Sequence, residues 1–94
     1  MPHVDPDVAS AWGEYAQRLA TSLRRHRERA GLSQEQVAYR ARMTRVTYQR
    51  FESGRSGSGN AANPTLHSLL ALAQVLDVSL AELVPDNAPD LRAR

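Results

Sequence analysis

Arg45, Val46 and Arg50 are residue types whose side chains could meet the edge of a base pair. A guanidinium can donate two hydrogen bonds to O6 and N7 of guanine, and an isopropyl group offers an apolar surface to the methyl of thymine. On a helix whose Tyr48 and Phe51 pack inward, residues 45, 46 and 49 or 50 come to the outer side. An arginine so placed, Arg45 or Arg50, has the donors to pair with the guanine of a G·C pair.

The charge around these residues has the same sense. From Arg18 to Arg55 there are ten arginines (18, 24, 25, 27, 29, 40, 42, 45, 50 and 55) against Glu28, Glu35 and Glu52, a balance of +7. Residues 1–17 carry −3 and residues 56–94 carry −2. A basic middle between mildly acidic ends fits a face presented to a polyanion. The competing possibility is a solvated arginine surface, since all twelve basic residues are arginine and none is lysine.

Other chemistries find little support. The chain has no cysteine, which excludes disulfides and thiolate metal sites and allows a cytoplasmic address. His3, His26 and His67 have no spacing suited to a shared metal, and no serine, histidine and acid stand in a catalytic pattern. Neither an enzyme, a metal nor a cofactor is expected. Glu52 reads as a structural carboxylate that pairs with an arginine such as Arg24 or caps neighbouring amides. No apolar run approaches the roughly 18 residues that span a bilayer, and MPHVDPD lacks the basic-then-apolar order of a leader, so no membrane partner is expected.

Such side chains need a scaffold, and 94 residues support one small domain. Helix signals run throughout, without a convincing alternating strand. Asp5 and Pro6 resemble an N-cap followed by a first-turn proline. Val8, Trp12, Ala16, Leu19 and Leu23 form the stripe of a long first helix that Gly31 closes, with Gly13 as a possible early break. Ser33 to Gln36 is a capping box over about two turns of helix. Thr44 caps a further short helix, Arg45 to about Ser53, which Gly54 ends. The polar, glycine-rich loop RSGSGNAAN (55–63) is expected to be mobile without a ligand. Pro64 and Thr65 reopen helix, with Leu66, Leu69, Leu70, Ala73 and Leu76 as its stripe and Asp77 at its end. Ser79 to Glu82 is a second capping box, over a last short helix that Pro85 stops.

The expected fold is therefore all-α, a compact five-helix bundle with helices of about 20, 8, 9, 12 and 6 residues. Helices this short cannot support themselves, so all five must share one core, built from residues that include Leu23, Val37, Phe51, Leu70, Leu76 and Leu83. Two short capped helices joined by Ala41-Arg42-Met43 have the helix-turn-helix layout.

The stretch GLSQEQVAYRARMTRVTYQRFESG, followed by NPTLHSLLALAQVLDVSLAELV, resembles the phage-repressor (Cro/C1-type, or XRE) helix-turn-helix family over roughly Leu19 to Val84. The matched features are distributed, among them Gly31-Leu32-Ser33-Gln34, Val37-Ala38, Phe51-Glu52-Ser53-Gly54 and Pro64-Thr65-Leu66. The resemblance implies a phage-repressor-like domain over 18–84 that binds double-stranded DNA and regulates transcription, as a repressor rather than an activator. Residues 1–17 then form an N-terminal extension joined to the first helix, and 85–94 a tail or linker stub. The resemblance also implies that Gln34 contacts a phosphate and braces a base-reading side chain. It puts base reading on Arg45, Val46 and Arg50, with Thr44 and Thr47 nearby and the loop that starts at Arg55 along the backbone. Asn63, beside a helix start, could approach phosphate as well.

The chain departs from the family pattern in three places. Its turn lacks the usual glycine, so Arg42 is expected in the left-handed region. Tyr48 stands where a small aliphatic residue is usual, and the 55–63 loop is several residues long for the family. Trp12 and Tyr15 either extend the core seam or build a dimer interface. A homodimer on a palindromic operator would add the contributions of two domains. The rival from another class is a protein-interaction or antitoxin-like module of the same fold, which salt dependence would separate.

Overall fold

The computed structural model describes residues 6–92, so the capping role of Asp5 and the position of His3 lie outside the described residues. Five helices follow in order: α1 (Pro6–Arg29), α2 (Gln34–Arg40), α3 (Arg45–Ser53), α4 (Leu66–Leu76) and α5 (Leu80–Leu83). Together they form a compact all-α bundle, with no strand among the described residues beyond one isolated bridge between Arg55 and Ala61. α1 runs through Gly13 without a break. A mid-helix glycine costs about 1 kcal/mol, which the buried seam of Tyr15, Ala16, Leu19, Ala20 and Leu23 readily offsets. α5 is a single turn of 4 residues, shorter than expected, because Val84 goes extended (ψ 129°) ahead of Pro85.

Local chemistry sets the other boundaries. Ser33 and Gln36 exchange side-chain and backbone hydrogen bonds, and Ser79 and Glu82 do the same. The hydroxyls of Thr44 and Thr65 each accept from the amide three residues on, at 3.1 Å. α2 ends without glycine. Arg42 takes φ 58°, its amide donates to the Tyr39 carbonyl at 3.1 Å, and the Met43 amide donates to the Ala38 carbonyl at 3.0 Å. That pair of bonds is a Schellman ending, with half-buried Met43 as its apolar contact and a cost of about 1–2 kcal/mol for a side chain in the left-handed region.

Leu23, Val37, Tyr48, Leu72 and Leu83 are fully buried and mark the centre of the core. One expectation about its membership needs correction. Leu70, expected in the core, is 41% exposed, and Leu66 of the same stripe is 63% exposed, while Leu72 is enclosed. α4 carries more apolar residues than one face can hold, and its packing on α2 and α5 selects Leu72, Ala73 and Leu76 with Leu69 beside them.

Residues 55–63 also differ from the slack loop that their composition suggests. The Ser56 amide donates to the Asn60 carbonyl at 2.7 Å and the Gly59 amide to the Ser56 carbonyl at 3.0 Å. The Ala62 amide donates to Gly54 at 2.8 Å, and Ala62 itself is buried. Backbone bonds and one small buried methyl order this hairpin where large apolar side chains are lacking.

Tyr15 and Trp12 are built into the same body. The two rings stack at 5.7 Å, the Trp12 indole N–H donates to the Ala62 carbonyl at 3.2 Å, and the Tyr15 hydroxyl donates to the Pro85 carbonyl at 2.6 Å. The Arg18 guanidinium lies 5.1 Å from the Tyr15 ring and donates to the Asp86 and Asn87 carbonyls. Tyr15 is thus a core residue with its hydroxyl already paired, and Trp12 is half-buried.

Gly54 joins α1 to α3. It has φ 76°, and a Cβ there would stand 2.5 Å from Nε2 of Gln17, whose amide donates to the Ser53 carbonyl at 2.9 Å. Gly54→Ala is expected to lower the unfolding free energy by about 2 kcal/mol, from left-handed strain and displacement of Gln17. A urea midpoint equal to that of the wild type would contradict this.

Candidate nucleic-acid interface

The angle between α2 and α3 is held by a buried carboxylate. Glu52, on the inner side of α3, is only 2% exposed. Arg27 of α1 donates to it twice, Nε to Oε2 at 2.6 Å and Nη2 to Oε1 at 3.1 Å, and Arg27 Nη1 also reaches the Leu32 carbonyl at 3.0 Å. Gln34, the first residue of α2, donates Nε2 to Glu52 Oε1 at 3.3 Å. Glu52 is therefore structural as expected, but its principal partner is Arg27. Arg24 stands further off, with Nε 3.8 Å from Oε1. Burial opposes ionisation of Glu52, yet the hydrogen bonds from Arg27 and Gln34 and the Arg27 charge outweigh it and hold the carboxyl below its usual range. Beside this group lies Tyr48, where burial first, and then the Glu52 charge, push the phenol far above its ordinary value.

From this hub a chain of amides runs outward. Gln49 Nε2 donates to Gln34 Oε1 at 3.3 Å, so Gln34 is fixed on both sides and Gln49 is held at the border of the exposed face of α3. Sequence reasoning put position 49 or 50 on the outer side without assigning Gln49 a role. Its link to Gln34 crosses 15 positions and leaves no local signal.

The outer face of α3 carries Arg45, Val46 and Arg50, all exposed, with Val46 at 53%. At its N-terminus the Thr44 hydroxyl accepts from the Thr47 amide and donates to Thr47 Oγ1 at 2.9 Å. The Thr47 hydroxyl hydrogen is then free to turn toward an acceptor outside. Beyond the C-terminus, the guanidinium of exposed Arg55 donates to the Gly59 carbonyl at 3.4 Å. Asn63 is exposed but grouped elsewhere. It lines a hollow of about 590 Å³ with Val8, Ala9, Trp12 and Leu91, on the side of the first turns of α1.

Two short helices joined by a tight turn, the second exposing two arginines and a valine, have the helix-turn-helix layout. Residues 18–84 match the family model described as helix-turn-helix domain. The chain belongs to the helix-turn-helix domain family. That family is a DNA-binding class, and the five-helix bundle is in keeping with it. No curated protein and no solved structure matches the chain. In this helix-turn-helix domain, no helix among the described residues is long and apolar enough to cross a membrane, and none of them form a group of His, Cys, Asp or Glu able to hold a metal.

Proposed function

We propose that this helix-turn-helix domain is a transcriptional regulator of the Cro/C1 (XRE) type, a repressor rather than an activator, that inserts α3 into the major groove of double-stranded DNA. One observation carries the proposal: α3 exposes Arg45, Val46 and Arg50 while Tyr48 and Glu52 on its other side are buried. Arg45, Val46 and Arg50 then meet base edges. Gln34, Thr44, Thr47 and Arg55 lie along the phosphates and fix the register of the domain on the duplex, while Asn63, set apart from them, is the outermost candidate for a backbone contact. Two copies pair on a palindromic operator, in the cytoplasm and on nucleoid DNA.

Selection of bound fragments from a random DNA library tests this. A palindrome with half-site centres about one helical turn apart, or a multiple of it, is expected. Recovery of no common motif would overturn it. With the operator known, Arg45→Ala is expected to reduce discrimination at one G·C pair by about 5-fold to 100-fold, leaving preferences at distant positions intact. Equal loss on every operator variant would move Arg45 to the phosphates.

A further inference from the structure

The guanidinium of Arg50 lies close to the backbone of Gly57. A Cβ added to Gly57 would stand 2.7 Å from Cζ and Nη2 of Arg50 and 3.0 Å from Nη1. Similar distances to three guanidinium atoms lay the flat face of that group over the Gly57 α-carbon, closer than any side chain at 57 allows. Unlike Gly31, Gly54 and Gly59, Gly57 has no positive φ. The backbone path at 57 does not call for glycine, and the absence of a side chain there leaves the room that Arg50 occupies.

Gly57 belongs to the hairpin closed by the Ser56–Asn60 and Ser56–Gly59 bonds, and the Ala62–Gly54 bond ties that hairpin to the end of α3. An unrestrained arginine on an exposed helix face has rotamer entropy to lose on binding. Seating it beforehand removes part of that cost, and with it the freedom to settle on a wrong base.

Resting on the DNA-binding reading above, we propose that the 55–62 hairpin is a seat for Arg50 and that Gly57 is a positioning residue for recognition by α3. The long loop is then part of the reading head. It presents Arg50 in one pose, with Arg55 bonded to Gly59 on the same hairpin.

Gly57→Ala is a clean probe, because the added methyl meets the end of a flexible side chain and no backbone. In DNA-free protein, the side-chain Nε–Hε heteronuclear NOE of Arg50 is expected to fall on Gly57→Ala while the urea midpoint stays at the wild-type value. On the operator selected by the wild type, Gly57→Ala is expected to lose at least about 5-fold in discrimination at the same base pair as Arg50→Ala, and the double variant to be no worse than Arg50→Ala alone. An unchanged NOE overturns the seat, as does a Gly57→Ala loss that adds in full to that of Arg50→Ala. A wild-type protein that selects no DNA would overturn the regulator assignment instead, and the NOE would still decide the seat.

Discussion

Glu52→Gln is expected to destabilise the domain by about 3 kcal/mol at neutral pH. The substitution keeps the shape of the side chain but removes the charge opposite Arg27 and points an amide donor at a site already filled by donors from Arg27 and Gln34. Breaking a buried pair by removing one partner costs about 3–5 kcal/mol, and partial access of Arg27 to water, 15% for its side chain, favours the lower end. Against a total stability of about 5–10 kcal/mol, that is a large share. The carboxyl of Glu52 is held below its ordinary 4.5, so its stabilisation is complete above that value and is lost as the pH falls through the folded one. Urea titrations at pH 7 and pH 3 should therefore show the gap between wild type and variant narrowing in acid. A gap of the same size at both values would mean that the pair is worth little. DNA binding should weaken too, since Gln34 and Gln49 are aligned through the same carboxylate.

Raising monovalent salt from 50 to 200 mM is expected to weaken operator binding by about 1000-fold, if the dimer neutralises about six phosphates, with a slope of log K on log salt of about −5. Arg55→Ala should make that slope shallower by about 1 for each protomer, with little change in base preference. Arg45→Ala should leave the slope nearly unchanged, because its loss falls on a base edge. A slope near zero would remove DNA as the partner and favour a protein-binding module, for which the exposed Leu66 and Leu70 of α4 would be the first surface to test.

Much of the frame was legible in the sequence because it is written over four or five consecutive residues. Ser33, Thr44 and Ser79 satisfy orphan amides of the helices that they precede, and the glycine-free turn forces Arg42 to φ 58°. The exposed face of α3 follows from its period once Tyr48 is turned inward. What stayed hidden depends on partners distant in sequence. Arg24 and Arg27 lie on one side of α1, and only the placement of α3 decides that Arg27 takes the bidentate geometry. Leu70 and Leu72 are equally apolar, and only α2 and α5 decide which one is enclosed. The hairpin escaped for the same reason. Its order comes from bonds between backbone groups and from a glycine whose neighbour, Arg50, is seven positions earlier.

The family match begins at residue 18, yet the indole of Trp12 holds the carbonyl of Ala62, where the hairpin returns to the body. The part of the chain outside the shared pattern is thereby connected to an arginine within it. Under the proposed role, sequence drift in the opening turns of α1 would act as a remote tuning knob, reaching Arg50 through the hairpin while every residue proposed to meet the bases stays as it is.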